Sequence, residues 1–189
     1  EQQLSGFHFV AVDDSIYLVQ EKSCLRLDPA TGEQIAEFKQ PNASDDWGRI
    51  RVKDDLLIAV VYRTLDADRE KLPDARKLLA GQNSPVGILA LNRFSGERLW
   101  SHEAEASFPV MAVGSDKIFC FDGALESFYK DWKRRGLIPG ASDIRHLKAI
   151  DLKTGKVEWQ HFAEIIGTWV SYSADHDVLL LTNKKHVMA

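Results

Sequence analysis

The chain has 189 residues, 44% of them hydrophobic and 28% charged, with a formal net charge of −4. That composition is ordinary for a folded globular protein, and the length allows one domain or part of one. The acidic balance argues against a general nucleic-acid binder, which would be basic. No apolar run approaches the ~20 residues that a membrane-spanning helix needs.

Read in chain order, short apolar runs separated by acidic turns predict strands in pairs. Residues 8–12 and 15–20 flank Asp13-Asp14, residues 47–52 and 55–61 flank the turn at Asp54-Asp55, and residues 108–113 and 117–121 flank Ser115-Asp116. A further pair, 169–173 and 178–182, encloses Asp175 and Asp177. Runs such as VMAV from Val110 and VLLL from Val178 are apolar throughout, which suits strands covered on both faces.

Each of the first three pairs is followed by a repeated motif: RLDPATGEQIA at 26–36, ALNRFSGERLW at 90–100 and AIDLKTGKVEW at 149–159. The motif predicts strand, tight turn, strand. Asp28, Asn92 and Asp151 carry short side chains that accept a hydrogen bond from the backbone two residues on, and Thr31, Ser95 and Thr154 do so more weakly. Gly32, Gly96 and Gly155 supply the positive φ of the turn. Trp100 and Trp159 end the return strand, and the first copy has Ala36 in that place.

The pattern A-x-[DN]-x-x-[TS]-G-x-x-x-W resembles the tryptophan-docking repeat of the quinoprotein, or PQQ-like, β-propellers. Two copies carry it in full; the first is degenerate at both ends. The resemblance implies an all-β fold: a partial β-propeller of three four-stranded blades at about 7–38, 47–102 and 107–162, with an incomplete fourth at 168–189. It also implies that Trp100 and Trp159 pack against a neighbouring blade. Closed propellers have about four to eight blades. A chain that opens at Glu1 rather than at methionine and stops at Ala189 part-way through a blade is therefore expected to be a piece of a larger propeller.

A compact blade needs about 40 residues. The second and third blades exceed this through insertions between their second and third strands, at 62–86 and 123–145. Alternating strand directions place both insertions on one face, opposite the glycine turns and side by side. Long loops gathered on a rigid scaffold commonly carry binding function. In the second insertion Leu125, Phe128, Tyr129 and Trp132 recur at helical spacing, Glu126 stands near the start, and Lys133, Arg134, Arg135 and then Gly136 close the segment. This predicts a short amphipathic helix over 124–135, whose Trp132, Arg134 and Arg135 form a candidate partner surface. In the first insertion Pro73 and Gly81 bracket a possible helical turn.

Candidate chemistry is sparse. His102 and His161 lie two residues after a docking Trp, on its face of the strand, where the first repeat has Phe38; that recurrence reads as structural. His8 and His146 fall on strands, His176 falls in an acidic turn, and Asp122 and Glu126 read as acidic residues where the second insertion begins. Cys24 and Cys120 lie two blades apart, too far for a disulfide, and read as small buried residues. No metal-spaced cluster is present.

Two functions follow. The main expectation is a non-catalytic binding or scaffold module that recognises a protein, or another domain of its own polypeptide, through the insertion-bearing face. The alternative, implied by the resemblance, is part of a dehydrogenase of alcohols or sugars that uses pyrroloquinoline quinone and Ca²⁺. That family's vicinal cysteine pair and acidic metal ligands have no counterpart that can be assigned here. The resemblance alone suggests a periplasmic or other extracytoplasmic location.

Overall fold

The computed structural model describes residues 4–5, 8–64, 83–104, 111–123, 133–136, 146–162, 169–182 and 187–188. They form β1 (Leu4–Ser5), β2 (Phe9–Val12), β3 (Ser15–Gln20), β4 (Ser23–Leu27), β5 (Gln34–Lys39), β6 (Asp45–Lys53), β7 (Leu56–Thr64) and β8 (Asn83–Asn92). The chain continues through β9 (Arg98–Glu103), β10 (Met111–Val113), β11 (Lys117–Asp122), β12 (His146–Asp151), β13 (Val157–Phe162), β14 (Trp169–Ser173), β15 (Val178–Thr182) and β16 (Val187–Met188). The strands pair strictly in sequence order into four antiparallel meanders: β1 to β5, β6 to β9, β10 to β13, and β14 to β16. Consecutive meander sheets of this kind are the building plan of a β-propeller.

The sheets fall into two compact units, the first holding β1 to β9 and the second β10 to β16. In the first unit, one apolar cluster joins the first sheet (Val10, Tyr17, Cys24, Phe38) to the second (Trp47, Ile50, Leu57, Ala59, Leu89). The second unit has its own cluster, in which Phe119, Phe121, Leu147 and Ala149 meet Val170 and Leu181. The apolar runs explain this packing. Every residue of β7 from Leu57 to Val61 is buried, as a strand covered on both faces must be.

The structure departs from the sequence reading at four places. β1 adds a fifth strand to the first sheet, beside β2. β16 adds a short third strand to the fourth sheet, where only two were expected. β7 runs on to Thr64 and β8 begins at Asn83, so the first insertion is shorter than 62–86. β6 begins at Asp45 and carries a bulge between Trp47 and Ile50. Gly48 sits in that bulge, where a Cβ would collide with the Tyr62 ring.

Candidate functional site

Each four-stranded meander has two edges of different construction. At one edge lies the tight turn between its third and fourth strands. At the other edge the second strand passes to the third.

The tight-turn edge is built three times from the same hydrogen bonds. Asp28 Oδ1 accepts from the amides of Ala30 (2.8 Å) and Thr31 (2.9 Å), and Asn92 Oδ1 accepts from Phe94 and Ser95, both at 3.0 Å. Asp151 Oδ1 accepts from the Thr154 amide at 2.7 Å and from its hydroxyl at 2.5 Å. The amides of Gly32, Gly96 and Gly155 donate back to the carbonyls of Asp28, Asn92 and Asp151. The three glycines have φ of +76°, +74° and +70°, the left-handed region that disfavours a side chain. The amides lower the Asp28 carboxyl below the usual range, with Thr31 the largest contributor, and the Thr154 hydroxyl leads the same effect on Asp151.

One of these turns also crosses between sheets. Arg93, at the tip of the second sheet's turn, grips Asp14 of the first sheet with two hydrogen bonds of 2.6 and 2.9 Å, and its carbonyl accepts from the Tyr17 hydroxyl at 3.0 Å. Hydrogen bonding from Arg93 holds the Asp14 carboxyl below its ordinary range. The guanidiniums of Arg93 and Arg26 stand 4.1 and 4.9 Å from the centre of the Phe94 ring.

The opposite edge of the second sheet holds a cleft of about 200 Å³. Asp45 opens β6 directly across from Arg63 on β7, and their side chains form a two-point ion pair: Nε to Oδ1 at 2.5 Å and Nη2 to Oδ2 at 3.0 Å. Val61, Val86, Ile88 and Leu89 give the cleft apolar lining, and Gln40, Arg98, Ser101 and Glu103 are among its polar residues.

The corresponding edge of the third sheet is drier. Asp122 ends β11 and Lys148 lies on β12, with side chains 4% and 3% exposed; Lys148 Nζ donates to Asp122 Oδ2 at 2.9 Å. The other carboxylate oxygen accepts from the Gly123 amide at 2.8 Å. His146, across from Asp122 in the register, is also buried. Asp122 is thus the buried half of an ion pair at a strand end rather than an acidic loop residue, because the register of β11 and β12 carries Lys148 to it. Burial, reinforced by the Asp122 charge, pushes the neighbouring Cys120 thiol up to about 12, and burial does the same to Cys24. Both cysteines are free and poor nucleophiles near neutral pH.

The sequence-derived residues divide between these regions. Asp28, Gly32, Asn92, Gly96, Asp151 and Gly155 form the tight turns. Trp100 is buried on β9. Trp159 packs on the second unit's apolar cluster, 6.0 Å from the Phe119 ring and 5.0 Å from the His161 ring. Trp132 and most of the expected 124–135 helix lie outside the described residues. Lys133 and Arg134 are helical, Arg134 and Arg135 are exposed, and Gly136 turns the chain with φ +76° while donating to the Lys133 carbonyl at 3.1 Å. Sequence reasoning missed Asp45, Arg63 and Lys148. Lys148 carried a signal, since the two other repeats have Leu25 and Leu89 at its position.

Among the described residues, no group of three His, Cys, Asp or Glu side chains gathers as metal ligands would, and no helix is long and apolar enough to cross a membrane. No family model and no curated protein matches the chain. Solved structures do. The chain is similar to the computationally designed Ika8 protein, with a TM-score of 0.57 at 10% identity over 95% of this chain and 43% of that one. It is also similar to a chain of a mitotic checkpoint complex, with a TM-score of 0.51 at 9% identity over 88% of this chain and 41% of that one. BamB from Moraxella catarrhalis aligns over 96% of this chain and 59% of that one, at 10% identity with a TM-score of 0.37, too low to argue from. The chain therefore spans less than half the length of the first two structures. At these identities the likeness concerns the fold alone: all-β, made of consecutive propeller-type sheets.

Proposed function

We propose that this chain is a non-catalytic binding or scaffold module built on part of a β-propeller. It takes its partner, a protein or another domain of its own polypeptide, at the long connection that leaves the third sheet; the second sheet carries a long connection of the same kind. The observation that carries this reading is the contrast between the two edges. The tight turns spend their polar groups on one another. The other edge hands the chain to connections 65–82 and 123–145 from strand ends fixed by the Asp45–Arg63 and Asp122–Lys148 pairs. Loops mounted on a rigid frame are the common carriers of recognition. The exposed Arg134 and Arg135 belong to the second connection. The motif further supports placing the chain in the PQQ-like family, with Trp100 and Trp159 as its docking residues.

The test is deletion of 124–135 from the full-length protein, with captured partners quantified against the intact chain and thermal unfolding measured in parallel. Capture is expected to fall while the unfolding temperature holds. A large loss of stability with capture intact would overturn the proposal, because the segment would then be a packing element.

A further inference from the structure

We propose that the chain associates head to tail with a second copy of itself, the Phe9 face of the first sheet in one copy meeting the Trp169 face of the fourth sheet in the other. The inference goes beyond the contact assigned to the long connection and does not depend on it.

One kind of junction between sheets recurs in the two units. In the first unit, the cross-strand pair Val10–Tyr17 of the first sheet packs in one cluster with the pair Ile50–Ala59 of the second. In the second unit, Ala112–Phe119 of the third sheet packs in the same way with Val170–Leu181 of the fourth. β2 lies against β6, and β10 against β14. Each junction joins unlike faces, because the receiving pair stands one residue out of step with the giving pair, and alternation sends it to the other side of its sheet.

The molecule carries one further copy of each half. Phe9–Leu18 is the receiving pair of the first sheet. Phe9, Ile50 and Val170 each lie three residues before the last residue of their strands. Ile50 is 0% exposed and Val170 4%, whereas Phe9 is 44% exposed. Ile16, Leu18, Leu25 and Leu27 share its face and are only half-buried. Ser171–Leu180 is the giving pair of the fourth sheet, also half-buried, and Trp169 on the same face is 49% exposed. Large apolar side chains left open on sheet faces mark surfaces that bury against a partner.

A second copy fits because one chain carries both halves of the junction. Two first sheets meeting each other would bring two receiving faces together, a contact found within neither unit. Pairing unlike faces makes the contact heterologous, which closes or runs on according to the rotation between copies. Two copies of four sheets reach the upper end of the about four to eight blades of closed propellers, so association is expected to stop at the dimer. The chain also spans less than half of each of the two structures it resembles with TM-scores above 0.5, which leaves room for a second copy.

Analytical ultracentrifugation of the whole chain at micromolar concentration tests the proposal. A species of twice the chain's mass is expected. Phe9→Lys and Trp169→Lys should each weaken it about tenfold or more, as loss of a buried aromatic anchor does. Both side chains are exposed in one copy, so each variant should keep the far-ultraviolet circular dichroism of the parent. Mixed in equal amounts, the two variants should associate again, because the intact Trp169 face of one meets the intact Phe9 face of the other. A monomeric parent chain would overturn the proposal and leave the Phe9 face to a further sheet of the same polypeptide. A dimer lost in Phe9→Lys but kept in Trp169→Lys would overturn it too, since like faces would then be paired. So would two folded variants that stay apart when mixed.

Discussion

The two edges of the sheets solve the same problem with different chemistry. At the tight-turn edge, polar groups within a few residues of one another close the chain: an Asx side chain, a Ser or Thr hydroxyl and a glycine at positive φ, repeated three times. At the other edge of the second and third sheets, ion pairs across neighbouring strands do the work: Asp45 with Arg63 and Asp122 with Lys148. Local hydrogen bonds need only the motif. A cross-strand pair needs the register to be right first. The first sheet marks the difference, because β3 and β4 join there through the short turn at Glu21 and Lys22 and no long connection leaves.

The comparison can be broken most forcefully at Lys148. Lys148→Ala leaves a buried carboxylate without its cation, and a loss of about 3–5 kcal/mol is expected in denaturant unfolding. The paired change Asp122→Leu with Lys148→Leu should restore stability to near the starting value, because a buried ion pair contributes little beyond an apolar pair of similar size. If Lys148→Ala unfolds with an unchanged midpoint, the pair is not a constraint on this edge.

Glycine substitutions sharpen the description of the tight turns. At Gly96→Ala the backbone strain of φ +74° is joined by a collision with the Phe38 ring, so about 2–4 kcal/mol should be lost. At Gly32→Ala no atom lies within 4 Å of the added methyl, so only the backbone cost of about 1–2 kcal/mol is expected. Equal losses at the two sites would mean that the second turn does not pack on Phe38. A smaller effect, about 1 kcal/mol, is expected for Asn92→Ala, which removes one acceptor serving two amides.

The difference in chemistry also explains what was legible in the sequence. The three turns could be read because every partner lies within six residues, as in the bond from the Asp28 amide to the Glu33 carbonyl. Strand pairs such as β14 and β15 were legible because short apolar runs and acidic turns are local too. Asp45–Arg63 was not. Counting outward from the Lys53–Leu56 pair places Asp46, not Asp45, opposite Arg63; the bulge between Trp47 and Ile50 shifts the register by one and sends Asp46 to Lys22 instead. Asp122–Lys148 was hidden by the connection 123–145, which separates the partners in sequence while the sheet brings them together. Only the break in repeat pattern, Lys148 where Leu25 and Leu89 stand, pointed there.

The smallest expected effect is acid sensitivity of the tight-turn edge. The Asp14 carboxyl is lowered by Arg93, and those of Asp28 and Asp151 by the turn groups that donate to them. Such groups stabilise the fold above their unfolded pKa, about 3.9 for aspartate, and that contribution is lost as pH falls through the lower folded values. Urea midpoints taken from pH 6 downward should therefore decline below about pH 4. Asp14→Asn should flatten part of that slope while reducing stability near neutrality only slightly, since the Asp14 side chain is 48% exposed. An unchanged slope in Asp14→Asn would remove the Arg93 contact from the account.

The central claim is that the tight turns frame each sheet and that the proposed binding lies on the long connections that leave the sheets' other edge. The direct measurement is site-specific photo-crosslinking of the full-length protein in its own host, with the crosslinker at position 134 in one variant and at position 94 in another. Arg134 and Phe94 are both exposed and stand in the two contrasted regions. A discrete crosslinked product from position 134, with none from position 94, is the expected result. Crosslinks from position 94 alone would place recognition on the tight turns and contradict the account.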